Sequence, residues 1–220
     1  ACAAPGPQAE LGCGTAGVPC LKGTAVVQLK TSKGEVTLSL DGDAAPLTAG
    51  NFVDLVRRGT YNGTLFHRVV KEPIPFVVQG GDPQSANPNT PVDLLGTGSF
   101  VDPTTGQPRL IPLELFLDGD SSPRYGEITV GPGQAEKLKL QHQRGALAMA
   151  RSNDPNSASA QFYIALRALP ELDGRYAVFG RVTQGMEVVD AIAAQATGVR
   201  FGFADVPLED ITITLAVQSR

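Results

Sequence analysis

Short runs with a period of two residues dominate this chain. Val26 to Lys30 and Val36 to Leu40 alternate apolar and polar residues around Ser32-Lys33-Gly34, the pattern of a hairpin with one face buried and the other in water. Leu65 to Val69, Phe76 to Gln79, Gly145 to Ala150, Gln161 to Ala165, Tyr176 to Val182 and Ile211 to Val217 are further strand-length segments set off by turn residues. Helical spacing is confined to two stretches. Residues 46 to 58 open on Pro46, gather Leu47, Phe52, Leu55 and Val56 on one face and stop at Gly59; Met186 to Gln195 is the second. Many short strands with two helices standing apart predict a mostly β fold, a closed antiparallel barrel capped by helices.

A length of 220 residues suits a single domain. Residues 1–23, rich in Ala, Gly and Pro without a hydrophobic period, read as a flexible tether, leaving 24–220 as the folded domain. Within it, Asp82 to Leu138 turns to Pro, Gly, Asn, Asp and Thr and reads as a long central loop insert. Its strand-like run Leu110 to Phe116 should pack on the barrel through Ile111, Leu113, Leu115 and Phe116, whereas Asp118 to Gly133 can stay in water. Gly80-Gly81 marks a place where only small residues permit a crowded backbone.

No apolar run approaches the ~20 residues of a membrane span. A net charge of −4 with scattered Lys and Arg leaves no electrostatic footprint for nucleic acid. His67 and His142 are the only imidazoles and read as hydrogen-bonded structural histidines, so neither metal nor cofactor is expected. Gly96-Thr97-Gly98 lacks the further glycines, the lysine and the helix of a phosphate loop, and there is no Gly-x-Ser-x-Gly elbow. All three cysteines fall in the first twenty residues. Cys13 and Cys20 bracket a Gly- and Pro-bearing turn and read as a disulfide clip of an exported protein, against free thiols in a loose tail. The start Ala1-Cys2-Ala3-Ala4-Pro5 resembles that of a mature bacterial lipoprotein, which makes Cys2 a lipidation candidate and a periplasmic, lipid-anchored protein one expectation.

Phe66-His67-Arg68, Phe76-Val77-Val78-Gln79-Gly80-Gly81-Asp82, Met149-Ala150-Arg151, Gln161-Phe162-Tyr163-Ile164 and Leu172-Asp173-Gly174-Arg175-Tyr176-Ala177-Val178-Phe179-Gly180 together resemble the cyclophilin family, in order, spacing and flanks, from about Ala25 to Val217. Ala150 to Ser159 is similar to the bacterial and cyanobacterial branch. Phe100 to Thr104 and Ile111 to Glu114 resemble the large thylakoid-lumen members, so a thylakoid lumen is the other expected home. The resemblance implies an eight-stranded barrel and a peptidyl-prolyl cis/trans isomerase with Arg68 as catalytic arginine. It also implies substrate binding by Phe76, Val77, Gln79, Ala150, Arg151, Gln161, Tyr163, Leu172 and Tyr176, with proline-containing peptides and unfolded proteins as partners. Phe162, adjacent to Tyr163 on the opposite face, falls to the core. Against the family pattern, Val77 replaces a methionine, Arg151 an asparagine, Tyr163 a phenylalanine, Glu171 a tryptophan or phenylalanine, and Tyr176 a histidine.

The residue types suit that chemistry. An X-Pro bond isomerises slowly because the amide must lose its partial double bond, over a barrier of ~18–20 kcal/mol, and no proton, nucleophile or metal has to act. A catalyst grips the proline ring and favours the twisted amide. A permanently charged, planar guanidinium can bond a carbonyl and approach the prolyl nitrogen as its lone pair develops, while Gln79 offers donor and acceptor to the peptide backbone. Two readings follow: an isomerase assisting folding of exported or lumenal proteins, or a catalytically weak proline-peptide binding module serving as an assembly factor for membrane complexes through the 82–138 insert.

Overall fold

In a computed structural model, residues 12–13, 17–128, 130, 133–200 and 203–219 are described. The strands are β1 (Thr24–Thr31), β2 (Gly34–Asp41), β3 (Arg68–Val70), β4 (Val77–Gly80), β5 (Glu114–Leu115), β6 (Arg124–Tyr125), β7 (Ala146–Met149), β8 (Phe162–Ala165), β9 (Val178–Gln184), β10 (Thr197–Arg200), β11 (Phe203–Pro207) and β12 (Ile213–Ser219). The helices are α1 (Pro46–Arg57) and α2 (Met186–Ala193), with short 3-10 turns between strands. No helix of the described residues is long and apolar enough to cross a membrane.

The opening hairpin follows its alternation. Val27 pairs with Leu38 and Leu29 with Val36, and these inward residues are fully buried while Gln28 and Thr37 face outward. From this hairpin an antiparallel eight-stranded sheet extends in the order β12-β1-β2-β9-β7-β8-β4-β3 and curls into a half-barrel. The expected closed ladder is not formed. β3 is only three residues long, so the gap between the edge strands is spanned by irregular backbone: Gly63 and Phe66 donate to the carbonyls of Ile213 and Ile211, and Ile213 donates to Thr64.

Inside the curl, Phe52 of α1 meets Tyr61, Phe162 and Phe179 at 4.9–5.4 Å between ring centroids, and Tyr61 bonds the Ala160 carbonyl. The backbone beside this aromatic core leaves no room for a side chain at Gly81: φ is +80° and an added Cβ would stand 2.8 Å from the Phe162 ring and 2.9 Å from Tyr61. α1 packs on β1, β2, β9 and β12, and α2 on β2, β3 and β4.

The insert is anchored rather than loose. Ala45, before α1, has no side-chain cap to offer. Instead the buried Glu114 carboxylate, far along the insert, accepts the Leu47 and Thr48 N–H groups at 3.0 and 2.8 Å and the Tyr125 hydroxyl at 2.8 Å. Arg109 reaches Asp54 of α1 at 2.7 Å and stacks over Phe100. Ile111 belongs to the main core, and Leu113, Leu115 and Leu117 bury with Leu138 and Ala177. The strand expected over Leu110 to Phe116 shrinks to β5, paired with β6, plus a bridge from Ile111 to Ala158. Most of 118–128 is exposed or half-exposed.

At the other end, the tether reading of 1–23 gives way over its last residues. Val18 is buried, the Leu21 N–H bonds the Pro46 carbonyl, and Gly50 leaves room for Pro19. Cys13 and Cys20 are joined by a disulfide with Cα atoms 5.6 Å apart, while Cys2 lies outside the described residues. The β10–β11 hairpin, not anticipated from the sequence, packs beside β3.

Candidate active site

Strand register brings the candidate residues to one place. Arg68 pairs with Gln79, Gln79 with Tyr163 and Tyr163 with Ala148, a transverse row across β3, β4, β8 and β7. Because side chains alternate between faces, this row and the one two residues away (Val70, Val77, Ala165) share the convex face, while Val69, Val78, Ile164 and Phe162 point into the aromatic core. Val77, Ala148, Tyr163 and Ala165 form a second apolar cluster with Leu169 and Val178, against which Phe76, Leu172 and Tyr176 pack. Phe162 and Tyr163 therefore separate as the alternation requires.

On this face lies a cavity of about 180 Å³ lined by Arg68, Phe76, Val77, Gln79, Ala150, Arg151, Tyr163, Leu172 and Tyr176. Gln161 stands outside it: its Oε1 accepts from Gln79 Nε2 at 3.2 Å and its Nε2 donates to the Gly98 carbonyl at 2.9 Å. It lines an adjoining groove of about 430 Å³, shared with Gly96 to Ser99, Pro108 and Leu110 of the insert and with Ser152, Ser157 and Ser159. The Gly96-Thr97-Gly98 turn is held from beneath, its first and last N–H groups donated to the buried Asp82 carboxylate at 2.6 and 3.2 Å.

The cationic groups around the cavity differ in freedom. Arg68 is half-exposed, 51% by side-chain area, and its nearest carboxylate oxygen is on Asp205 at 3.9 Å, beyond hydrogen-bonding distance. Among the described residues its donors remain uncommitted. Arg151 is fixed: Nε and Nη2 donate to the Arg175 carbonyl, Nη1 to Ser152, and the guanidinium lies 4.6 Å from the Tyr176 ring centroid. Arg167 pairs with Glu171 at 2.7 Å and sits 5.7 Å from the Phe76 ring.

His67 is buried, with neither ring nitrogen in well-formed hydrogen-bond geometry among the described residues, although the Leu65 backbone and the Gln161 side chain stand beside it. Burial holds it below the ordinary histidine range. His142 is bonded on both ring nitrogens, to Asp173 at 2.7 Å and to the Tyr163 hydroxyl at 2.9 Å. Sequence reasoning missed its contact with the pocket, and also missed Asp205, the one described non-glycine residue with positive φ (65°). Neither carries a local signal: His142 lies 21 residues from Tyr163, and Asp205 sits in a hairpin without apolar alternation.

A mostly β half-barrel with two helices, a small cavity on one face of its sheet, Arg68 at that cavity and a longer groove beside it defines the architecture. Residues 26–217 match the family model described as cyclophilin type peptidyl-prolyl cis-trans isomerase, and the chain belongs to that family. It is 37% identical over 188 residues to a protein of Synechocystis named as a thylakoid lumen peptidyl-prolyl cis-trans isomerase, covering 81% of this chain but 46% of the relative, so the chain spans about half that protein's length. A Streptomyces antibioticus peptidyl-prolyl cis-trans isomerase is 34% identical over 87% of this chain and 97% of its own. A chloroplastic isomerase of Arabidopsis thaliana is 38% identical, covering 76% of this chain and 39% of the relative. The fold matches a Cryptosporidium parvum cyclophilin crystal structure with a TM-score of 0.66 at 24% identity, over 90% of this chain and 98% of that one.

Proposed function

We propose that this chain isomerises X-Pro bonds of exported or lumenal proteins, with Arg68 as the catalytic residue. The observation that carries the reading is the row Arg68, Gln79 and Tyr163 on one face: an uncommitted guanidinium, an amide and an aromatic floor around a cavity sized for a pyrrolidine ring. A proline seated on Tyr163 between Phe76, Leu172 and Val77 has its ring excluded from water. Gln79 holds the flanking peptide, its amide already oriented by Gln161. Arg68 then donates to the substrate carbonyl and faces the prolyl nitrogen as the amide twists, an interaction stronger in the transition state than in either planar isomer. The rest of the peptide runs into the groove between the insert and Ser152 to Ser159.

The disulfide between Cys13 and Cys20 supports an oxidising compartment, and the names of the Synechocystis and Arabidopsis relatives favour a lumen. A lipid on Cys2 would anchor the domain there. The exposed 118–128 segment favours a second role, docking on a membrane complex with the pocket as a proline grip. A protease-coupled assay on an Ala-Ala-Pro-Phe peptide decides between turnover and grip: the proposal expects catalysis proportional to enzyme concentration, and binding without acceleration would establish the binding module.

A further inference from the structure

Behind the floor of the cavity stands a buried chain of polar groups that the isomerisation itself does not use. Tyr163 shows its ring to the cavity, but its hydroxyl is buried and bonded to His142 Nε2 at 2.9 Å. On the far side of the imidazole, Asp173 Oδ1 lies 2.7 Å from Nδ1 and accepts the His142 backbone N–H at 2.8 Å. A carboxylate only accepts, so Nδ1 carries the proton. In the neutral ring Nε2 is then an acceptor, and Tyr163 donates to it. Burial holds His142 below the ordinary histidine range, in keeping with that neutral form. The phenol proton is thus turned away from the cavity, and a tyrosine performs as an apolar floor.

The same histidine also secures the wall. Its carbonyl accepts the Leu169 N–H at 2.8 Å, so His142 grips both ends of the 169–173 turn. That turn contains Leu172, and Tyr176 follows it; both line the cavity. The rings are in series: His142 stacks on Tyr163 at 5.9 Å and 10°, and Tyr163 meets Tyr176 edge-on at 5.9 Å and 83°.

Resting on the reading of this cavity as the proline site, we propose that His142, held by Asp173, is a positioning residue that locks the Tyr163 floor to the Leu172–Tyr176 wall and so sets affinity for the proline ring. Such a lock acts on planar and twisted substrate alike, so its loss falls on binding and spares turnover. A buried phenol left without a partner is unfavourable, and a floor that shifts to relieve this no longer fits the ring.

The test is a coupling experiment on the whole chain with an Ala-Ala-Pro-Phe peptide, reading KM and kcat by protease-coupled assay and Kd by NMR titration. His142→Leu should raise KM and Kd about 5–20-fold with kcat within about twofold. Adding Tyr163→Phe, which breaks the same hydrogen bond from its other end, should raise neither value by more than about a further twofold. If His142→Leu melts below assay temperature, His142→Asn with and without Tyr163→Phe gives the same coupling. Unchanged Kd in His142→Leu, or a further rise of more than about twofold on adding Tyr163→Phe, overturns the positioning role. A wild-type chain that binds the peptide with no effect of Phe76→Ala on Kd would instead overturn the reading of the cavity.

Discussion

Replacing Glu114 by alanine isolates what the insert does for the fold. Its carboxylate satisfies two N–H groups at the start of α1 and one half-buried tyrosine hydroxyl. The hydroxyl of Tyr125 can turn to water, but the Leu47 and Thr48 N–H groups are sealed beneath the insert. Each buried donor left unmade costs about 1–3 kcal/mol, and helix caps removed by mutation cost about 0.5–2 kcal/mol, so a loss of about 2–4 kcal/mol is expected. For a domain of this size that is a fall in Tm of roughly 5–15 °C. Calorimetry or circular dichroism reads the shift, and kcat/KM measured well below Tm should be unchanged because Glu114 is not among the residues lining the cavity. A Tm lowered by less than about 2 °C would refute the capping argument; normal stability with lost activity would show that the insert works on the site instead.

Because burial depresses both His67 and His142, the unfolded chain takes up protons at about pH 6.5 while the folded one does not. Their contribution to stability is therefore present above that pH and lost as pH falls through the depressed values; urea midpoints should drop from pH 7.5 to 5.5, less steeply in His67→Asn or His142→Asn, and an identical slope in both variants contradicts this. Opening the Cys13–Cys20 link, whose sequence separation is 7, should cost about 2 kcal/mol by release of a short closed loop; mass spectrometry without reductant should find the two joined, and free thiols would remove the argument for an oxidising compartment. Shortening 118–123 to a Gly-Ser turn should leave kcat/KM within about twofold, whereas a tenfold loss would show that this exposed segment shapes the active site.

What was legible in the sequence follows from which interactions are local. The β1–β2 hairpin and α1 announce themselves because alternation and the Leu47-Phe52-Leu55-Val56 face are set by neighbours in the chain. The cavity residues could be named because motifs fix strand register, and register alone places Arg68, Gln79 and Tyr163 side by side. Long-range polar bonds leave no such trace. Glu114 reads as one residue of the strand-like run Leu110 to Phe116 until α1 is found to lack its own cap, and His142 as a structural histidine until the sheet sets Tyr163 above it. β10–β11 has an exposed Val199 and a glycine in its first strand where an alternating apolar residue would have signalled pairing. The ladder stays open because the strand read over Leu65 to Val69 forms only from Arg68, and Leu65 meets Thr212 in a single antiparallel bridge.

The departures from the family pattern have a common geometry. Arg151 and Tyr176 stack on each other across the cavity mouth, and Glu171 is drawn outward into its pair with Arg167. The Tyr163 hydroxyl is turned to the buried His142 imidazole rather than to the cavity.

The central claim is that the free guanidinium of Arg68 stabilises the twisted amide, and kcat/KM of Arg68→Ala on an Ala-Ala-Pro-Phe peptide tests it most directly. Arg68 is half-exposed and its side chain makes only a long ion pair to Asp205, at 3.9 Å, so Tm should stay within about 2 °C. The activity should fall by ~10²–10³, the loss of one transition-state donor, with peptide Kd little changed. An Arg68→Ala protein that is folded and as active as the wild type would contradict the account.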